Sequence, residues 1–195
     1  MKKIFLIDTE NVGRNGYNPL DSNAAEMITS DDVFLIGHNR IRGHISPKII
    51  DAIASSKASY RIVEIYSNSK NAMDFSLASE MGYLISTEGN KAKYYIVSQD
   101  RGYEALIPFA KAHGCELRII PSVSKLAEEK KSQEEEMQIF QRLLPELTKK
   151  ALNIAFHCYC NSVDSKTYHN KLQVKLIRDY HMVYERTAYL LKENK

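Results

Sequence analysis

The chain has 195 residues, is 44% apolar and carries a formal net charge of +3, which allows one ordinary domain with an appendage and a real hydrophobic core and excludes fibrous, collagen-like and fully disordered classes. Charge is unevenly spread: residues 1–122 carry 14 Lys/Arg against 14 Asp/Glu and residues 123–195 carry 13 against 10, so the whole excess lies in the tail. No stretch approaches the roughly 18–20 uncharged apolar residues of a membrane span, the start MKKIFLIDTEN meets a charge too early for a signal peptide, and three cysteines without framework spacing fit a reducing compartment; the expectation is a cytoplasmic protein without membrane contact.

Up to residue 122, strand-like and helix-like segments alternate. The short apolar runs 3–7, 33–37, 60–66, 94–97 and 117–120 are rich in Ile, Val, Phe and Tyr, as strands covered on both faces should be. Between them, residues 19–29, 47–57, 71–84 and 102–113 repeat apolar side chains at helical spacing. Ser46 followed by Pro47 reads as a cap with a first-turn proline, and Gly114 as a helix stop. Five strands joined by four crossovers predict an α/β fold, a parallel sheet with helices on both faces. Residues 123–195 read differently, with a charged run from Glu128 to Glu136, no glycine, and helix-favouring composition nearly throughout. Three or four helices are expected there, over 124–144, 146–161, 166–179 and 182–193, with a break at Asn161–Asp164. The expected division is a domain over 1–122 and a helical region over 123–195.

In a doubly wound sheet of order 3-2-1-4-5, the ligand site opens at the carboxyl ends of strands 1 and 4. Asp8 ends the first run, Asp100 follows the fourth, and Asp74 sits near the start of the helix-like segment between them. Asn71 and Asp74 are three apart, which on a helix puts both on one face. Carboxylates this close repel unless something neutralises them, and hard divalent cations bind such oxygen clusters. The bland readings are that Asp8 and Asn11 stabilise a turn and that Asp74 belongs to a capping box with Asn71.

Three segments, FLIDTENVG (5–13), NAMDFSLASEMGYLIS (71–86) and IVSQDRGYEALIPFAKAHG (96–114), together resemble the PIN-like nucleases, in particular the NYN branch, over roughly residues 3–121. The resemblance implies a metal-dependent ribonuclease whose acidic cluster binds Mg2+ or Mn2+ and activates a water against an RNA phosphodiester. It makes Asp8 the first-strand ligand, Asn11 the amide of an aspartate-x-x-asparagine pattern, Asp74 the helix carboxylate, and Ser98 and Asp100 the serine-x-aspartate after strand 4. Glu10 either joins the cluster or faces solvent. Many family members carry a further acid where this chain has Gly102, which leaves a smaller acidic cluster. Residues 169–191 resemble the helical appendage of some bacterial NYN-type proteins.

Arg14, Arg40, Arg42, Lys70 and Arg101 fall after predicted strands or in the loops around the acids, where a phosphate backbone needs cations. In the tail, seven Lys/Arg and four tyrosines beyond Ser165 offer either a second nucleic-acid surface or a homo-oligomer face. His157, Cys158 and Cys160 do not share a zinc ion, since helix residues two apart point about 200° away from one another; core packing is the expectation for them. Cys115, Tyr94 and Tyr95 are expected to be buried, and His38 is a rim candidate. Two other functions compete with the ribonuclease: a non-catalytic RNA-binding or toxin–antitoxin-like module, and a haloacid-dehalogenase-like phosphatase with Asp8 as nucleophile.

Overall fold

A computed structural model describes residues 1–12, 20, 22–41, 43 and 45–193, apart from the side chains of residues 22, 23, 192 and 193. Five parallel strands, β1 Lys2–Asp8, β2 Val33–Asn39, β3 Ser59–Ile65, β4 Ala92–Val97 and β5 Glu116–Ile120, form one sheet in the order β3-β2-β1-β4-β5. The expected architecture and strand order are both present.

Period-two alternation along the strands explains why two cores form. Ile4 and Leu6 of β1, with Leu35, Tyr94 and Ile96, face one side and pack with α4 (Ala72–Glu88) and α5 (Leu106–Ala112). Phe5 and Ile7, with Phe34, Ile36, Tyr95 and Val97, face the other. There they meet α1 (Thr9–Val12), α2 (Ser22–Glu26), α3 (Pro47–Ala54) and the start of α6 (Val123–Leu143). The central strand β1 is fully buried from Ile4 to Asp8, and each such Leu, Ile or Phe contributes roughly 1.5–3 kcal/mol through burial. Phe5 stacks between Phe34 and Tyr95, with centroids 4.8 and 5.0 Å away.

Several boundaries move for local reasons. Pro47 opens α3 as expected, but Ser46 makes no side-chain cap bond and the helix stops at Ala54. The stretch 102–113 divides into a 3-10 turn at Arg101–Ala105 and α5. Gly114, at φ +71°, ends α5, a conformation that glycine adopts without steric cost.

The chain divides into two compact units, residues 1–129 and 130–195. The tail has more helices than expected: after α6 come α7 (Lys149–Cys160), α8 (Ser165–Lys175), α9 (Tyr180–Thr187) and α10 (Leu190–Glu193). Thr148 caps α7 and Asp164 caps α8 through their side chains, which fixes the break after Asn161. Phe140, Leu152, Tyr159, Tyr168, Leu172 and Val183 form a separate core. Cys158 belongs to it, whereas Cys160 and His157 lie on the surface, so the core-packing expectation holds for only one of the three. Among the described residues no helix is long and apolar enough to cross a membrane.

Candidate functional site

Strand parity delivers Asp8 to a defined place. It continues the Ile4–Leu6 face and so points to the side covered by α4 and α5. Ser98, one step past β4, continues the Tyr94–Ile96 face to the same side. Gly37 lies beside Asp8 in register, and a Cβ there would fall 2.4 Å from Met73 Sδ. A bare backbone at residue 37 therefore lets the first turn of α4, with Asp74, come down on the sheet.

Asp8 is completely buried and is held by five donors. Oδ1 accepts from the backbone N–H of Glu10 at 3.1 Å and of Asn11 at 3.3 Å. Oδ2 accepts from Asn11 Nδ2 at 2.6 Å, Ser98 Oγ at 3.0 Å and Tyr103 Oη at 3.2 Å. Asp8 and Asn11 thus cap the turn that becomes α1, and the same bonds aim the carboxylate at the rim. Ser98 binds Asp8 and accepts from the Asp100 backbone N–H at 3.0 Å, so it orients the first-strand acid and the Asp100 backbone.

Asp74 is half-buried in the first turn of α4. Burial pushes its carboxyl above the ordinary value, a hydrogen bond from Tyr103 opposes that, and the negative charges of Asp8 and Asp100 raise it further. Asp74 is thus close enough to both Asp8 and Asp100 to feel their charge. Asp100 Oδ1 accepts from the Gly102 N–H at 2.7 Å. Gly102 is not among the positive-φ residues; a Cβ there would stand 3.1 Å from Asp100 Oδ1, so its bareness leaves room for that carboxylate.

The remaining expected residues do not converge equally. Glu10 is half-buried, and its Oε1 accepts from Asn39 Nδ2 at 3.1 Å. Asn71 precedes α4 in the left-handed conformation at φ +64°, exposed and with no side-chain cap bond. Its backbone is not helical, so the shared-face argument fails, and no capping box forms with Asp74. Arg40 is engaged by Glu64, with Nε 2.9 Å from Oε1, and Arg101 by Glu104 at 3.0 Å. Lys70 is exposed. Arg14 and Arg42 lie outside the described residues.

Two site residues escaped sequence reasoning. Tyr103, only 3% exposed, puts its hydroxyl between Asp8 and Asp74; in the sequence it passes for an apolar helix residue, and only its hydroxyl three positions after Asp100 hints otherwise. Asn39, fully buried, bridges Glu10 to the Ser67 carbonyl at 3.0 Å and so ties the loop before α4 to α1.

The model of the PIN domain (PIN7) matches residues 2–120. The chain belongs to the PIN domain family. PIN domains are generally nucleases that use divalent metal ions, which gives the chain a nuclease-like function in general terms. No curated protein and no solved structure matches it. The acidic rim of this PIN domain fits a hard cation in the chemistry of its donors, because all are carboxylate or hydroxyl oxygens, and burial together with the charges of Asp8 and Asp100 raises Asp74. It is not a preformed cage: among the described residues no group of three or more His, Cys, Asp or Glu side chains is arranged to hold an ion. The five donors on Asp8 already fill the roughly four lone-pair sites of a carboxylate.

Proposed function

We propose that this PIN domain is a cytoplasmic metal-dependent endoribonuclease of the NYN type, cleaving RNA phosphodiesters at the rim of Asp8, Asp74 and Asp100. The observation that supports the proposal is the buried Tyr103 hydroxyl, which donates to Asp8 Oδ2 at 3.2 Å and also bonds Asp74, whose carboxyl is raised by burial and then by the charges of Asp8 and Asp100. Asp8, Asp74 and Asp100 would hold Mg2+ or Mn2+. A bound ion of this kind acidifies a water and takes up negative charge on a phosphodiester.

The chain's own residues set up that chemistry. Asn11 and Ser98 hold Asp8 in one orientation. The Gly102 N–H holds Oδ1 of Asp100. Tyr103 keeps Asp8 and Asp74 side by side by donating a proton into the space between them. For an ion to reach Asp8 Oδ2, one of its three donors must yield; the Tyr103 hydroxyl is the longest bond and is shared with Asp74, so it is the one to yield.

A second reading, a non-catalytic RNA-binding module, is favoured by the saturated Asp8. Incubating the purified chain with mixed RNA oligonucleotides, with Mn2+ or with EDTA, separates the two. Cleavage that needs metal and falls by orders of magnitude in Asp74→Asn and Asp100→Asn supports the nuclease. RNA binding without cleavage under any metal supports the module, and EDTA-resistant cleavage contradicts the site assignment.

A further inference from the structure

The helical unit carries a groove with no carboxylate in its lining. Lys150, Asn153, Ile154 and His157 recur at i, i+3, i+4 and i+7 along α7, one face of a helix, and Lys175 from the last turn of α8 completes the lining. One turn further along, the Asn161 amide lies 3.4 Å from both ring nitrogens of His157, and Lys171 Nζ donates to the Asn161 carbonyl. Burial pushes the Cys158 thiol up, while Lys175 and then Lys171 pull it down. Lys175 in the lining and Lys171 at the Asn161 carbonyl place both ammonium groups on this side of the α7–α8 hairpin.

Two cations of the unit are paired, Lys130 with Glu134 and Arg186 with Glu146 at 2.5 Å. Lys150, Lys171 and Lys175 have no carboxylate partner among the described residues. Ammonium groups without a carboxylate along one face attract an anion. From Lys150 to His157 the face runs seven residues, or about 10 Å at the helical rise. That is longer than a lone phosphate and suits a chain of them. Ile154 supplies an apolar floor, and the Asn153 amide and His157 ring supply further hydrogen-bond donors.

We propose that this face of the α7–α8 hairpin binds the phosphodiester backbone of RNA, as a contact separate from the acidic rim. The inference rests on the reading of the chain as an RNA nuclease. Sequence-independent backbone contact of this kind is salt-dependent, with a slope of roughly 0.7 per phosphate for single strands.

The test is fluorescence anisotropy of a single-stranded RNA oligonucleotide with the full chain in EDTA, titrated with KCl, for the wild type, Lys150→Ala/Lys175→Ala and Asn153→Asp. Removing two phosphate contacts should flatten the slope of log affinity against log salt by about 1.4 and weaken binding several-fold, with melting temperature unchanged. Asn153→Asp, which puts a carboxylate in the groove, should weaken binding in the same direction. If the wild type binds RNA but both folded variants keep its affinity and slope, the groove inference is wrong while the nuclease reading stands. Wild type that binds no RNA in EDTA overturns the groove inference, while metal-dependent cleavage decides the nuclease reading separately, and variants that change only the oligomeric state overturn the inference in favour of self-association.

Discussion

Tyr103 donates its hydroxyl to Asp8 Oδ2 across 3.2 Å and 95 positions of sequence, and the same hydroxyl is a hydrogen-bond partner of Asp74. Burial raises the phenol far above its ordinary value, and the charges of Asp8 and Asp74 raise it further, so it stays protonated. One proton is thus placed between two carboxylates.

Tyr103→Phe removes that proton. The metal-free protein should lose about 2 kcal/mol, as expected for a hydrogen bond to a charged group, and the repulsion left behind should make added Mn2+ raise the melting temperature by more than in the wild type. Melting curves with Mn2+ and with EDTA read both effects. A smaller Mn2+ shift in the variant would mean that the hydroxyl supports an ion and does not compete with it.

Asp74 gives a pH dependence. Its folded-state carboxyl lies above the unfolded value of 3.8, so the ionised form costs stability at neutral pH, and the cost disappears as pH falls through the raised value toward 3.8. Asp74→Asn should therefore be as stable as the wild type or more so at pH 7, with the difference shrinking in acid. Urea midpoints at pH 7 and pH 4 measure this; a variant clearly less stable at pH 7 would make Asp74 a structural carboxylate.

Asp32 behaves in the opposite sense. It is fully buried and accepts from Lys3 Nζ at 2.6 Å, the Lys3 N–H at 2.7 Å and the Thr29 N–H at 2.9 Å. Burial alone would raise its carboxyl, but these partners outweigh burial and hold it below 3.8. Its stabilisation is present above about pH 4 and is lost as pH falls through the depressed value. Asp32→Asn should cost about 3 kcal/mol by leaving Lys3 without its buried partner, readable in the urea midpoint at pH 7; a change under about 0.5 kcal/mol would show the pair to be dispensable.

Gly37→Val tests the seating of α4. The added side chain meets Met73 Sδ and the Ile7 carbonyl, so overpacking should cost about 1–3 kcal/mol and carry Asp74 away from Asp8. Cleavage and Mn2+ binding should both fall in a protein that still folds. Full activity in that variant would mean that α4 accommodates the change without moving the acids.

The sheet was legible because runs such as Phe34–Ile36 and Tyr94–Val97 are buried on both faces, which gives uninterrupted apolar strands. Asp8 and Asp100 follow from strand ends and a switch point. Tyr103 and Asn39 were not legible, because their roles depend on partners 95 and 28–29 positions away, and neither sits in a local pattern. The cations read as rim ligands include Arg40 and Arg101, which find acids instead, since Glu64 lies beside His38 in the β2–β3 register and Glu104 is three residues from Arg101. In the tail, the expected helix over 182–193 divides without Gly or Pro. Thr187 Oγ1 bonds the Val183 carbonyl at 2.6 Å and the Tyr168 hydroxyl at 2.7 Å, a side-chain competition with backbone bonding that composition does not reveal.

The central claim is that Asp8, Asp74 and Asp100 share one divalent ion. Titration of Mn2+ into the wild type, Asp74→Asn and Asp100→Asn, followed by the loss of the free-ion paramagnetic resonance signal, tests it most directly. Asp8 is left intact because its five hydrogen bonds would confound binding with folding. The account predicts saturable binding in the wild type, weakened by at least about tenfold in each variant while both remain folded. Equal Mn2+ binding in all three proteins would contradict it.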